Sequence, residues 1–184
     1  TGPGANVGLV TEDHITRRSE EDVCTTCPAG HMDTLTNVAE GKRCTASSVR
    51  SVVTAAGSVH RYPCSGAFDG NLGSFAATSA AQTGSSDHWF QVDLERVLLI
   101  EQVKIHRREG NNCDSACQER SNGGYVVVSA ESSGQRQSLV HAAAAPTEER
   151  CEGTTTESVD TLNCRAKRGR WVTFVKLAPD SYLN

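Results

Sequence analysis

The stretch HWFQVDLERVLLIEQVKIH, His88 to His106, decides the fold class. Apolar Phe90, Val92 and Leu94 alternate with polar Gln91 and Asp93, and Val103 and Ile105 alternate with Gln102, Lys104 and His106. A period of two is the mark of a strand that buries one face. The stretch reads as two strands, FQVDL (Phe90 to Leu94) and LLIEQVKIH (Leu98 to His106), on either side of charged Glu95 and Arg96. Further strands are expected at YVVVSA (Tyr125 to Ala130), QSLVHA (Gln137 to Ala142) and WVTFVKL (Trp171 to Leu177). In WVTFVKL, Trp171, Thr173 and Val175 share one face and Val172 and Phe174 the other, so one side can meet a core. Trp89 and Trp171 each head a strand beside apolar neighbours and are expected to be at least partly buried. Only VRSVVTAA, Val49 to Ala56, reads as a short helix. Short strands joined by long polar loops, without helical crossovers, predict an all-β antiparallel sandwich.

Composition narrows the function. The 184 residues carry a formal net charge of −4, so no overall basic field exists to hold a phosphate backbone, and nucleic acid is excluded as a partner. The longest apolar runs, VLLI (Val97 to Ile100) and YVVV (Tyr125 to Val128), fall far short of the ~20 residues of a membrane-spanning helix. GxSxG, HExxH, P-loop and GxGxxG patterns are absent. His88 and Asp93 stand at an odd separation and point to opposite faces of a regular strand, which rules them out as a dyad. The sequence therefore reads as a binding or structural module, not an enzyme.

Eight cysteines stand at positions 24, 27, 44, 64, 113, 117, 151 and 164. An even, dense set predicts disulfides and an extracellular or cell-surface setting. Cys24, Cys27, His31 and Cys44 have the spacing of a zinc site, but no second closely spaced pair follows, and disulfides are the better reading. The polar start, including TEDHITRRSEED (Thr11 to Asp22), lacks apolar periodicity and reads as linker. VCTTCPAGHMD, Val23 to Asp33, resembles the short CxxCPAG cysteine-rich repeats of large extracellular receptors and adhesion proteins. The expected organisation is a linker and cysteine-rich segment over 1–34 and one domain over 35–184, as a piece of a multidomain protein.

From about Thr36 onward, five motifs follow in order: TNVAEGKRCTASS (Thr36 to Ser48), GAFDGN (Gly66 to Asn71), HWFQVDL (His88 to Leu94), IEQVKIHRREG (Ile100 to Gly110) and LNCRAKRGRWVTFVKL (Leu162 to Leu177). Together they resemble the F-type lectin (fucolectin) and discoidin-type domains. The resemblance implies a galactose-binding-like jelly roll that binds carbohydrate, with glycans or glycoproteins and neighbouring extracellular domains as partners. A structural module for cell adhesion that binds no sugar is the alternative. F-type lectins hold L-fucose through a histidine and two arginines beside a cysteine pair. By resemblance, Arg107 and Arg120 are the two arginines, Glu109 is the acidic residue of the first motif, and Gln82 occupies the place of the histidine. A guanidinium fork donates to a pair of sugar hydroxyls, and a carboxylate can hold that fork still.

The resemblance also implies a structural calcium, with Asp69 and Asn71 from the DGN turn and Thr78 and Ser79 from the next loop, and a last ligand expected just beyond Asn184. It implies a Cys151–Cys164 disulfide, and Cys113–Cys117 as a second. Cys24, Cys27, Cys44 and Cys64 then pair among themselves in one of three ways.

Overall fold

A computed structural model describes residues 7–12, 35–79, 88–108, 113, 119–130 and 150–176. Among these the chain is built of antiparallel strands and one 3-10 turn: β1 (Val7–Glu12), β2 (Leu35–Thr36), β3 (Cys44–Ala46), β4 (Arg50–Val53), β5 (Val59–Tyr62), the turn Cys64–Ala67, β6 (His88–His106), β7 (Tyr125–Ser129) and β8 (Val159–Lys176). The all-β sandwich expected from the alternation is what forms. None of the described helical turns is long and apolar enough to cross a membrane.

The two strands expected between Phe90 and His106 are one, β6, of 19 residues. It pairs along both of its halves with β8. Its first half also pairs with β3, and its second half with β1. β7 joins the last part of β8. Both long strands bend at their middle. In β6 the register shifts between Asp93 and Leu98, with Glu95 at φ 67°. In β8 Arg165 and Ala166 take φ 49° and 53°, opposite a second shift between Ile100 and Gln102. That second shift explains why the buried phase passes from Leu98 and Ile100 to Val103 and Ile105: a bulge changes which residues point inward.

The core contains Phe90, Val92 and Leu94 from the first half of β6 and Ile100, Val103 and Ile105 from the second, with Leu162, Val172 and Phe174 of β8. Residues on the two sides of one bend share one core only when the halves face each other as the layers of a sandwich. Burying each such Leu, Ile or Phe contributes roughly 1.5–3 kcal/mol. A smaller cluster of Tyr125 and Val175, with half-buried Trp89 and Val127, covers the outer face. Trp171 is half-buried as expected.

Two expectations are corrected. Val7–Glu12 is not linker, because β1 pairs with β6 from Val7↔Ile105 to Val10↔Gln102. Val49 to Ala56 is not helical, because Arg50–Val53 forms a hairpin with Val59–Tyr62. Its turn closes through Gly57 at φ 78°, where a residue with a side chain would be strained. The strand expected at Gln137 to Ala142, and the cysteine-rich segment with Cys24, Cys27 and His31, lie outside the described residues.

Cys151 and Cys164 are bonded, as the family resemblance implies. Of the three pairings open to the first four cysteines, the structure shows Cys44 with Cys64, which joins β3 to the turn after β5. Cys113 is disulfide-bonded; Cys117 lies outside the described residues.

Candidate functional site

The bend brings the two ends of β6 to one end of the sandwich. His88, the first residue of β6, touches Thr78, and Arg108, two residues past its last, lies over Phe75. The segment from Phe75 to Thr78 thus meets both ends of the strand, and the bend at Glu95 forms the opposite end. Consecutive arginines leave β6 here, and they go to different places.

Arg107 continues the inward phase of Val103 and Ile105 and is buried, 7% exposed. Its Nη1 donates to Asn122 Oδ1 at 2.5 Å, and its Nη2 lies 3.4 Å from Asp160 Oδ2. Asp160, itself buried, also accepts from the backbone N–H of Thr156 at 3.0 Å and of Glu157 at 3.1 Å. The Arg107 N–H donates to Ser158 O. Arg107 therefore fastens the loop before β8 to the end of β6. The expectation that Arg107 is exposed is corrected by its burial. The carboxylate beside it is Asp160, and Glu109 is outside the described residues.

Arg108 turns the other way. Its Cζ sits 4.2 Å over the centre of the Phe75 ring, and Phe75 stacks on Tyr62 with centroids 4.6 Å apart and planes 20° from parallel. His60 meets Tyr62 edge-on at 5.2 Å. The half-buried Arg108 is thus attracted by the ring face, an interaction worth roughly 0.5–2 kcal/mol. The sulfur of disulfide-bonded Cys113 lies 3.2 Å from Arg108 O. Arg120 stands in the turn closed by Asn122 N–H to Glu119 O at 2.9 Å. Asn122 of that turn accepts from Arg107, and its carbonyl accepts from the Lys176 amine, whose pKa burial pushes below its ordinary value. The structure therefore places Arg107, Arg108, Phe75 and Tyr62 at the loop end, with the turn that carries Arg120 tied to Arg107 through Asn122. Gln82 is outside the described residues.

The four residues expected to hold calcium make hydrogen bonds within the fold. Asp69 Oδ1 accepts from Asn71 N–H at 2.9 Å and Oδ2 from the Ser74 hydroxyl at 2.5 Å, while Asn71 Oδ1 accepts from Gly73 N–H. Thr78 is fully buried against His88 Nδ1, and the Ser79 hydroxyl donates to Val49 O at 2.9 Å. The DGN turn holds its shape by its own hydrogen bonds, and Thr78 and Ser79 serve the core and β4. Glu40 lies beside the turn, so close that a Cβ on Gly70 would fall 2.6 Å from its carboxyl carbon. Among the described residues no group of three or more His, Cys, Asp or Glu could hold a metal ion.

The bend end is closed by ion pairs. Arg170 grips Asp93 with two hydrogen bonds, Nε to Oδ1 at 2.6 Å and Nη2 to Oδ2 at 2.7 Å. These bonds hold the Asp93 carboxyl below the usual carboxylate range, against the opposing effect of burial. Asp93 Oδ1 also accepts from Glu95 N–H, which braces the left-handed residue. Lys42 and Glu95 pair at 2.6 Å over a shallow concavity of about 510 Å³ floored by Val38, Leu94 and Leu98. His88 and Asp93 have separate partners, in line with their opposite faces.

A family model for the NedA-like galactose-binding domain, of the F5/F8 type C group, matches residues 66–174. The chain belongs to this family. Solved structures agree on the NedA-like domain's fold. The lectin domain of lectinolysin complexed with Lewis B antigen is 21% identical, with a TM-score of 0.55 over 80% of this chain and 90% of that one. A fucose-binding module of Streptococcus pneumoniae is 19% identical, with a TM-score of 0.54 over 83% and 92%. The F-lectin (fucolectin) of striped bass serum, Morone saxatilis, is 16% identical, with a TM-score of 0.54 over 98% and 69%. No curated protein sequence matches the chain.

Sequence reasoning missed Arg108, Phe75 and Tyr62. The signal for Arg108 was present: if Ile105 points inward, a period of two sends Arg107 inward and Arg108 out. Phe75 and Tyr62 had no such signal, since one lies in an irregular segment and the other in a hairpin whose first strand reads as helix.

Proposed function

We propose that this NedA-like domain is a carbohydrate-binding module whose glycan contact is at the loop end, with Arg108 as the principal hydrogen-bond donor and Arg120, from the turn tied to Arg107, as a second. The observation that carries the reading is the Arg108 guanidinium laid on the Phe75 ring at the end of the sandwich. A guanidinium supported from one face keeps its N–H edge free of rotational averaging, and that edge matches a pair of vicinal hydroxyls. Arg107 and Asp160 hold the ground beneath it. The known relatives support the class of ligand: the lectinolysin domain is complexed with Lewis B antigen and the pneumococcal module binds fucose. The disulfides Cys44–Cys64 and Cys151–Cys164 support an extracellular or cell-surface setting, because such bonds persist in oxidising compartments. Binding of cell-surface glycans by a module of a larger protein is the role this implies.

A glycan array probed with the domain and with Arg108→Ala tests the reading. The domain should bind a defined set of glycans, and the variant should lose them at unchanged fold. Absence of any glycan bound by the unmodified domain, or full retention by Arg108→Ala, would overturn it.

A further inference from the structure

We propose that the bend end carries a second binding surface, separate from the glycan site, on which Lys167, Arg168 and Arg43 receive the sulfate groups of an acidic polysaccharide chain. The run RAKRGR, Arg165 to Arg170, sets four cations in six residues of β8, a short basic cluster of the kind that suits a sulfated polymer. Both ends of the run are tied down: Arg165 pairs with Glu152 at 2.6 Å, and Arg170 grips Asp93. Between them, half-buried Lys167 and exposed Arg168 make no ion pair among the described residues. Exposed Arg43 makes none either, and it stands on the other side of β6, where its carbonyl accepts from Asp93 N–H at 2.9 Å. Asp93 is thus one carboxylate set between two guanidiniums. The Arg170 bond is the main reason its carboxyl lies below the ordinary range, and the charge of Arg43 adds to it. Of the other carboxylates nearby, Glu40 lies at the DGN turn against Gly70, and Glu101 makes no ion pair among the described residues.

The backbone under these cations is fixed. Lys167 and Arg168 face Ile100 and Leu99 in the ladder to β6, and Gly169 is pressed so close to β7 that an added Cβ would fall 2.8 Å from Ser129 O. Cations carried on a fixed ladder require no loop to be ordered upon binding. Sulfate oxygens meet a guanidinium fork as those of phosphate do. Because the charges recur along the polymer, one chain can reach from β8 to β3 across two strand spacings, about 10 Å. A membrane surface would call for apolar anchors as well, and of the exposed large apolar residues only Val97 stands in the bend. The oxidising setting supported by the disulfides favours a polysaccharide over a nucleic acid.

Calorimetric titration of the full chain with a heparin decasaccharide tests this. The unmodified chain should bind it, about tenfold or more weakly at 200 mM than at 50 mM salt, because a polyanion releases its counterions when cations replace them. The same decasaccharide stripped of its sulfates should not bind. Lys167→Gln with Arg168→Gln should weaken binding about tenfold, the scale of two exposed charge contacts, and Arg168→Gln alone should weaken it less. Arg61→Ser with Lys104→Ser removes the same charge outside the bend and should leave binding as it was. Melting temperatures serve as the control for folding, with the single variant as the fallback. Absence of binding by the unmodified chain overturns the proposal, as does full retention by the Lys167→Gln, Arg168→Gln variant or equal binding of the desulfated chain. Tighter binding to duplex DNA or to vesicles of phosphatidylserine and phosphatidylcholine overturns it in favour of those polyanions. The glycan array keeps the two surfaces apart: the Lys167→Gln, Arg168→Gln variant should retain every neutral glycan that the unmodified chain binds, and their loss would merge the two sites and overturn the separate surface.

Discussion

The two ends of the sandwich are both rich in charge, and they spend it differently. At the bend end, Asp93 meets Arg170 in a bidentate pair and Lys42 meets Glu95, so charge is matched by charge along a single turn of β6. At the loop end, one arginine is matched in the interior by Asp160 and its neighbour rests on an aromatic ring. A carboxylate engaged by two parallel N–H bonds has little capacity left for a ligand. A guanidinium lying on a ring is supported through its face, by the ring's electrons and not by a carboxylate. The bend end therefore holds the strand's shape by paired charges, and the loop end holds one of its two arginines against a ring.

Arg107→Ala should break the comparison most severely. It leaves the Asp160 carboxylate buried without its cation, and losing one partner of a buried pair costs about 3 kcal/mol. Denaturant unfolding would read this as a lower midpoint at unchanged slope. A variant as stable as the unmodified domain would show that Arg107 is not the fastening of the loop end.

Asp93→Asn sharpens the other side through pH. The folded carboxyl lies below its ordinary pKa because of its bonds to Arg170, so its contribution is complete above the ordinary carboxylate range and disappears as pH falls through the folded value. The unmodified domain should lose melting temperature steadily on acidification below that range. Asp93→Asn should start lower at neutral pH and show a flatter acid limb. Parallel acid limbs would mean that the bidentate pair contributes nothing to stability.

Arg108→Ala should change stability little, under about 1 kcal/mol at a half-buried surface position, while removing array binding. The contrast with Arg107→Ala, large in stability for one and in binding for the other, is the sharpest form of the comparison.

The smallest effect is expected from chelation. The DGN turn is closed by its own hydrogen bonds, so adding EDTA should shift the melting temperature by less than about 1 °C, within what a ligand that is not bound contributes. A shift of several degrees would show that a cation does stabilise this fold.

Much of this architecture was legible. Alternation in FQVDL and the short apolar runs of YVVVS and WVTFV named three strand regions, because strands that line a core must carry apolar residues on the faces they bury. The bend was hidden for the opposite reason. Glu95 and Arg96 read as the end of a strand, whereas the chain continues through them by placing Glu95 in a left-handed conformation braced by Asp93. The β4–β5 hairpin was hidden too, because Val52, Val53 and Val59 are exposed and their pattern records no core. Gly57 in AAGS was its only local mark. At the site, Cys151–Cys164 followed from family resemblance. The division of labour between Arg107 and Arg108 depends on Asp160 and Phe75, which come from distant parts of the chain that no local pattern connects.

The pairing of β6 with β8 has a consequence for how the domain is made. This ladder runs through both layers and joins the middle of the chain to β8, far along the sequence, from His106↔Val159 to His88↔Lys176. A chain emerging during synthesis can complete neither layer until β8 has been released. Until then the apolar face of β6 has no partner on the β8 side. Contacts so distant in sequence also fold slowly, on scales of milliseconds to seconds for comparable β domains. The nascent domain is thus vulnerable to aggregation until β8 arrives, and a truncation that removes the chain from the last ten residues of β8 onward would expose the face that Phe90 and Val92 now bury.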